Sequence, residues 1–149
     1  MLADDRAPLR VRRTAGLPRP VLTPHAGEYE RIAGRAVGAD RIAAARDLAT
    51  ITSGVVVLKG PGTVVADDSG RAAVVRAGGP ALATAGTGDV LAGVIGALLA
   101  SGMEPFDAAW TAAVAQGTAA DLVSHGDGTI ASDVIEALPL AFAQFRSIC

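Results

Sequence analysis

A run of four consecutive apolar residues, Val55–Leu58, limits the folds open to this 149-residue chain. Such a run is typical of a strand that is buried on both faces of a sheet. Gly54 precedes the run and is the predicted stop of a helix over residues 40–52. The predicted apolar face of that helix consists of Ile42, Ala45, Ala49 and Thr52. A buried strand that directly follows an amphipathic helix predicts an α/β layered fold.

The rest of the pattern predicts about four strands and five helices. The predicted strands cover residues 21–23, 55–58, 63–66 and 71–76, and residues 67–70 form a hairpin turn between the last two. The predicted helices cover residues 26–34, 40–52, 87–101, 105–123 and 132–145, with 77–86 as a loop and a break at Gly126-Asp127-Gly128. So few strands leave at least one long edge of the sheet uncovered, which favours association with another chain.

Residues 1–20 combine charged residues and prolines without periodicity, which predicts a poorly ordered lead-in. Residues 21–149 are then one domain or part of one. Because the sheet has few strands and follows the lead-in at once, we expect an N-terminally truncated domain. Its missing half is either lost or supplied by a partner chain.

Charge and hydropathy exclude several classes of partner. The net charge of −2 gives no support for nucleic-acid binding. The longest apolar run, Val90–Ala100, is too short to span a membrane, and the N-terminus lacks the apolar segment of a signal peptide. The single cysteine, Cys149, excludes an internal disulfide and fits a reducing compartment. These features predict a cytoplasmic protein.

A loop of small residues, 82–88, runs directly into the apolar helix predicted from residue 87. Its backbone N–H groups can close around an anion, and the start of the helix adds its positive dipole end. Asp89 stands at this junction, where a carboxylate makes sense as a base that takes a proton while the loop holds phosphoryl charge. Alternatively, Asp89 is a helix-start residue and the glycines form a turn. Both interpretations remain open on these residues alone.

A second candidate site follows the first strand. His25 lies at a strand end, where ligands collect in open α/β folds, and it can donate to a substrate oxygen. Glu28, one helical turn later, is a candidate for capping the start of the helix. The alternative is a purely structural role for His25 at this junction.

A third candidate follows the buried strand, in the segment Lys59-Gly60-Pro61-Gly62-Thr63. The glycines let the backbone approach a ligand, and Lys59, the one lysine beside twelve arginines, can meet phosphate oxygens. A tight turn between adjacent strands is the alternative. The segment lacks the order of a P-loop, and no cysteine–histidine cluster has metal-ligand spacing.

Four segments in order resemble the ribokinase-like family of ADP- or ATP-dependent NAD(P)H-hydrate dehydratases. They are LTPHAGEYERIAG, VVVLKGPGTVVADDSG, GGPALATAGTGDVLAGVIGALLASG and AAVAQGTAADLVSHGDGTIASDVIEALP. The set extends from about residue 20 to residue 140, and its order and spacing are specific although no single segment is. The resemblance implies a ribokinase-like α/β fold of which this chain holds only the C-terminal half.

The resemblance also implies an activity, namely the repair of NADH and NADPH damaged by hydration of the nicotinamide ring. A nucleotide phosphorylates the ring hydroxyl, and loss of phosphate restores the double bond, so the enzyme is a hydro-lyase with ADP or ATP as co-substrate. By position, His25 and Asp89 contact the hydrate, and Asp89 takes the hydroxyl proton. The residues implied to bind the adenine nucleotide are Lys59, Gly60, Pro61, Gly62 and Thr63, together with Ala85, Gly86, Thr87 and Gly88.

The family also uses Mg²⁺ to neutralise the phosphates, although the sequence contains no dedicated ligand set for it. Two departures from the family pattern are local: Ala85 stands where a glycine is common, and Gln116-Gly117 stands where His-Gly is frequent. The family domain is roughly twice this size, and its members are often homo-oligomers. Two alternatives follow: a related small-molecule kinase, or a catalytically incomplete fragment that binds adenine nucleotide. The LTPHAGE segment argues against the kinase.

Overall fold

The computed structural model describes residues 19–123 and 128–146. Most of the predicted lead-in over residues 1–20 lies outside this range, as do Gly126, Asp127 and Cys149. The expectation of a poorly ordered lead-in, and of a truncated domain after it, therefore stays a prediction. The chain divides into two compact units, Met1–Val74 and Val75–Cys149.

The first unit is built around one sheet. Its elements are β1 (Val21–Leu22), α1 (Ala26–Ala33), α2 (Arg41–Thr52), β2 (Val55–Leu58), β3 (Thr63–Asp67) and β4 (Ala72–Val75). The strands lie in the order β1-β2-β3-β4; β1 runs parallel to β2, and β2 runs antiparallel to β3. The sheet is therefore mixed, with β1 and β4 at its edges.

Strand β2 is fully buried along its whole length, as its apolar sequence predicts. Helix α2 packs on β2 and β3. The core between them contains Tyr29, Ala44, Ala45, Leu48, Ala49, Val56, Leu58, Val64 and Ala66. The expected apolar face of α2 is partly wrong, because Ile42 is exposed whereas Ala44 and Leu48 are buried. Successive residues of a helix are rotated by about 100°, which places Ile42 at the edge of the buried face of α2. Its side chain is therefore exposed.

Strand β3 extends one residue further than predicted, to Asp67. The sequence placed Asp67 in the hairpin turn, but its side chain is fully buried. One carboxylate oxygen accepts hydrogen bonds from the backbone N–H groups of Ser69 and Arg71, both at 3.0 Å, and from the Ser69 hydroxyl at 2.6 Å. The other accepts from Arg71 Nε at 2.6 Å. Asp67 therefore ends the strand and organises the turn with one side chain.

The second unit is helical. A short 3-10 helix, Pro80–Ala83, lies within the predicted loop and is followed by α3 (Thr87–Ala100), α4 (Pro105–Leu122) and α5 (Ala131–Arg146). Helix α4 packs against both α3 and α5. Alanines supply most of its buried surface, which lets the neighbouring helices approach closely.

Across the described parts of both units the chain forms four strands and five α-helices, which confirms the predicted α/β class and element count. No helix in the described ranges is both long and apolar enough to cross a membrane.

Candidate functional site

The side chain of His25 caps the start of helix α1. The Nδ1 atom accepts hydrogen bonds from the backbone N–H groups of Gly27 and Glu28, at 3.1 and 3.2 Å. Glu28 reciprocates, because its Oε2 accepts from the backbone N–H of His25 at 2.8 Å. The pair forms a capping box in which histidine replaces the usual serine or threonine. The predicted capping role of Glu28 is confirmed, and His25 has the structural role that was its alternative interpretation.

This cap also determines which imidazole nitrogen faces outward as a donor. A nitrogen that accepts hydrogen bonds carries no proton, so the neutral imidazole of His25 has its proton on Nε2. The side chain is 57% exposed. Its structural role at Nδ1 is therefore compatible with the predicted donation to a substrate oxygen from Nε2, which stays a prediction.

Glu28 connects His25 to Lys59. Its Oε2 lies 3.7 Å from Lys59 Nζ and 3.6 Å from His25 Nε2. The hydrogen bond from the His25 backbone N–H, assisted by the charges of Lys59, His25 and Arg31, lowers the pKa of Glu28 despite partial burial. The carboxylate thus stays charged and holds the ammonium group of Lys59 beside the end of β1.

The segment after β2 lies against the same strand end. The backbone N–H of Lys59 donates to the Pro24 carbonyl at 2.8 Å, so the residues after β1 and β2 are neighbours. Gly60 and Gly62 have φ values of 145° and 65°, which side chains other than glycine adopt only with strain. Gly60, Pro61 and Gly62 are exposed. The structure brings His25 and the Lys59–Thr63 segment together at the carboxyl ends of two parallel strands, where open α/β sheets bind ligands.

Arg41 contacts the Lys59–Thr63 segment, although the sequence analysis did not identify it as a candidate site residue. Its Nη2 donates to the carbonyls of Leu58 and Lys59, at 3.2 and 3.1 Å. The available signal was its position: Arg41 shares one side of α2 with the buried Ala45, Leu48 and Thr52, where a charged residue is unusual.

In the second unit, the start of α3 presents free backbone donors. Gly86 is the N-cap, with φ of 90°. Within the described part of the chain, the N–H groups of Ala85, Gly86 and Gly88 have no hydrogen-bond partner. Three unpaired donors at the positive end of a 14-residue helix form an arrangement that can hold an anion.

The Thr87 side chain does not point toward such an anion. It is buried, and its hydroxyl donates within the loop to the carbonyls of Leu82 and Thr84, both at 2.8 Å. The Thr87 carbonyl accepts from the buried Gln116 Nε2 at 2.6 Å. Gln116, which replaces the histidine frequent in the family pattern, therefore fixes the first turn of α3.

Asp89 occupies the third position of α3 and is exposed. Its carboxylate has no hydrogen-bond or ion-pair partner among the residues that the structure describes. A carboxylate used only to cap the helix would bond to the backbone at the helix start, as Asp133 does with the Ile130 N–H at 2.9 Å in α5. The uncommitted carboxylate of Asp89 favours the chemical interpretation over the structural one.

Two further positions on α4 support this loop: Asp121, which sequence reasoning missed, and Gly117, which it noted only within a departure from the family pattern. A Cβ at Gly117 would lie 2.4 Å from the Ala77 carbonyl oxygen, so the backbone before the loop crosses α4 in direct contact. One turn later, Asp121 accepts from the Gly78 N–H at 3.0 Å. Both contacts join positions about forty residues apart, which no local pattern reveals.

A metal site made of protein side chains alone is absent from residues 19–123 and 128–146: no three His, Cys, Asp or Glu side chains cluster there. A shallow cavity of about 270 Å³ lies beside β1 and α1. It is lined by Leu22, Thr23, Pro24, Glu28, Arg31 and Ile32.

Comparisons with known proteins identify relatives of this chain in sequence and in structure. A family model described as NAD(P)H-hydrate dehydratase matches residues 12–140. A bifunctional NAD(P)H-hydrate repair enzyme of Escherichia coli is 43% identical over 124 residues, which cover 79% of this chain and 24% of that one. The ADP/ATP-dependent NAD(P)H-hydrate dehydratase of Bacillus subtilis, co-crystallized with ATP/Mg²⁺ and soaked with CoA, superposes with a TM-score of 0.81 at 32% identity.

That alignment covers 87% of this chain and 50% of the B. subtilis chain. A ribokinase-like superfamily protein of Enterococcus faecalis superposes with a TM-score of 0.70 at 25% identity, over 92% of this chain and 50% of that one. The predicted ribokinase-like fold is thus confirmed. The chain spans about half the length of these solved relatives and a quarter of the E. coli enzyme.

Proposed function

Because the chain belongs to the NAD(P)H-hydrate dehydratase family, we propose that it serves the ADP-dependent dehydration of hydrated NADH or NADPH. The observation that carries the proposal is the start of α3. There, three unpaired backbone N–H groups stand beside the uncommitted carboxylate of Asp89. An anion site next to a free base is what phosphoryl transfer to a hydroxyl requires.

In the proposed reaction, Asp89 takes the proton of the hydroxyl group on the hydrated nicotinamide ring. The ring oxygen then attacks the terminal phosphoryl group of ADP and releases AMP. The unpaired N–H groups of Ala85, Gly86 and Gly88 stabilise the charge on the transferring phosphoryl group, and the Thr87 N–H, which donates to the Thr84 carbonyl at 3.4 Å, adds to them. Phosphate then leaves the ring together with a proton from the neighbouring ring carbon, and the electron pair of that C–H bond restores the double bond. ATP serves in the same way, with ADP as the released nucleotide.

The first unit carries the other residues that the family resemblance implies in ligand binding. The Lys59–Thr63 segment, together with Gly88, binds the adenine nucleotide. This role is supported by its exposed glycines and by the Lys59 ammonium group. His25 contacts the hydrate through its Nε2–H, since Nδ1 is engaged in the helix cap.

A magnesium ion in this site has to be held mainly by the nucleotide. Mg²⁺ commonly binds through one or two carboxylates and substrate phosphates, and the described residues contain no side-chain cage for it. When bound, the ion neutralises phosphate charge.

We place this activity in the cytoplasm and expect either a homo-oligomer or association with the remaining half of the domain. The chain's length favours one second candidate: an adenine-nucleotide-binding chain without turnover of its own, because the solved relative is twice as long. Nucleotide binding and turnover therefore have to be measured separately.

The test measures the return of NADH absorbance from its hydrate with ADP and Mg²⁺, alongside calorimetry with ADP. Asp89→Asn keeps the size of the side chain and removes the base. Asp107→Asn is the matched control, since Asp107 is an exposed aspartate at the same, third position of α4. We expect Asp89→Asn to abolish turnover while ADP affinity changes by less than about tenfold, or roughly 1.4 kcal/mol.

Turnover by wild type and by Asp107→Asn, but not by Asp89→Asn, supports the proposed chemistry. Near-normal turnover by Asp89→Asn removes Asp89 from the catalytic role. ADP binding without turnover in the wild type supports the second candidate. Neither binding nor turnover refutes both functions for this chain.

A further inference from the structure

Arg41 occupies a position where the fold gains little from a charge. It is the first residue of α2. Because each residue turns the helix by about 100°, Arg41 lies on the same side of α2 as Ala45, Leu48 and Thr52. Those three side chains are buried against the sheet. A charged side chain on this line is directed at the sheet, here at the carboxyl end of β2.

The hydrogen bonds of the Arg41 side chain go to the last residue of β2 and to the residue after it. Its Nη2 donates to two successive carbonyls, those of Leu58 and Lys59, at 3.2 and 3.1 Å. Gly60 comes so close that a Cβ there would lie 2.8 Å from Nη2. Gly60, with φ of 145°, therefore leaves the space that the guanidinium group of Arg41 occupies.

Arg41 is also incompletely satisfied. Its Nε is buried and has no hydrogen-bond partner within the described part of the chain. A buried donor without a partner costs stability, and so does removing a guanidinium group from water. Stability alone therefore gives a weak reason for this arrangement, whereas the orientation of two consecutive peptide groups gives a specific one.

We propose that Arg41 is a positioning residue that holds the Lys59–Thr63 segment in its nucleotide-binding conformation. This inference rests on the proposed function, because it takes the segment to bind the adenine nucleotide. Arg41 holds the carbonyls of Leu58 and Lys59 toward the start of α2. The backbone of the exposed Gly60 and Gly62, and of the half-buried Thr63, is thereby held in place before the ligand arrives. Pre-organisation of this kind raises affinity by removing the cost of ordering the loop on binding.

The test compares wild type with Arg41→Ala, Arg41→Lys and the control Arg46→Ala. Arg46 lies on the same helix, is exposed, and its side chain has no partner among the described residues. ADP affinity is measured by calorimetry, and amide hydrogen exchange is measured without nucleotide. We expect Arg41→Ala to weaken ADP binding about tenfold to hundredfold, and Arg46→Ala to change it by about twofold at most.

Three readouts separate positioning from a general structural role. In Arg41→Ala without nucleotide, the amides of Gly60, Gly62 and Thr63 exchange faster while those in the middle of α2 do not. Arg41→Lys recovers part of the affinity, because its ammonium group reaches one carbonyl but lacks the planar fork. The effects of Gly60→Ala and Arg41→Ala on ADP affinity are less than additive, since the added methyl group displaces the same guanidinium group.

Unchanged ADP affinity in Arg41→Ala, or faster exchange spread over the whole first unit, overturns the inference and leaves the proposed function standing. Absence of ADP binding in the wild type overturns both.

Discussion

Replacing Asp67 with asparagine tests how much the β3–β4 hairpin depends on one buried charge. The substitution keeps the shape of the side chain and one of its acceptor oxygens. That oxygen can still accept from Ser69 and from the Arg71 backbone. The other position becomes an NH₂ group facing Arg71 Nε, which lies 2.6 Å from the carboxylate oxygen in the wild type. Two donors then face each other, and one charge-assisted hydrogen bond is lost.

A hydrogen bond to a charged group contributes roughly 1.5–3 kcal/mol to stability. The Arg71 side chain is 45% exposed and can turn toward water, which reduces the loss. We therefore expect Asp67→Asn to lower the free energy of unfolding by about 2 kcal/mol at pH 7. For a chain of this length that corresponds to a fall of roughly 4–8 °C in Tm.

The loss of stability caused by Asp67→Asn depends on pH in a defined direction. Burial alone would raise the pKa of Asp67, but the hydrogen bonds from Ser69 and Arg71 outweigh it and lower the pKa below its ordinary value of 3.8. A group with a lowered pKa in the folded state stabilises the protein above its unfolded pKa. That stabilisation disappears as the pH falls through the folded value. Asparagine does not titrate, so the difference between wild type and variant should shrink as the pH falls below about 4.

Urea unfolding of both proteins between pH 7 and pH 2 measures this difference directly. Asp47→Asn is the control, because Asp47 pairs with Arg35 on the surface and both side chains are more than half exposed. We expect the control to unfold at nearly the same urea concentration as wild type. A difference for Asp67→Asn that stays constant down to pH 2, or is below about 0.5 kcal/mol at pH 7, would refute the reasoning.

Two glycines on helices should respond in opposite directions to the same change. Gly117→Ala should destabilise the protein by about 3 kcal/mol, because its methyl group would overlap the Ala77 carbonyl, whereas Gly96→Ala should stabilise it by about 0.5–1 kcal/mol in open space. Thermal unfolding decides, and equal effects of the two would contradict the packing of α4. Tyr29→Phe should be neutral or stabilising by up to about 1 kcal/mol, because the buried hydroxyl has no partner in the described chain. A clear loss of stability, measured by urea unfolding, would mean that the hydroxyl is satisfied.

The strands and helices could be predicted because their signals are local. Val55–Leu58 is apolar at every position, and Gly54 and Pro105 mark an end and a start that the structure reproduces within one or two residues. The errors occurred where a residue's neighbours come from elsewhere. Ile42 is apolar but lies at the margin of α2, and Asp67 is polar but buried by its own hydrogen bonds. Pattern alone assigns both to the wrong environment.

The candidate site shows the same division. The strand-end and helix-start segments were identifiable from glycines and charges placed after predicted strands. Arg41 was not identifiable, and Gln116 was noted only as a departure from the family pattern, because their hydrogen bonds reach 17 or 18 and 29 residues along the chain. Such supporting contacts arise from packing between elements, so no residue pattern in the sequence indicates them.

His25 at the start of α1 allows the state of that helix end to be followed by NMR. The chain has two histidines, so selective ¹⁵N labelling of imidazole rings yields two sets of signals. The Nδ1 of His25 is an acceptor in the folded state, and its resonance should be that of an unprotonated nitrogen in the tautomer with hydrogen on Nε2. Fraying of α1 releases this constraint and lets the tautomers mix. A single ring nitrogen thus reports on the integrity of the helix start without any added probe.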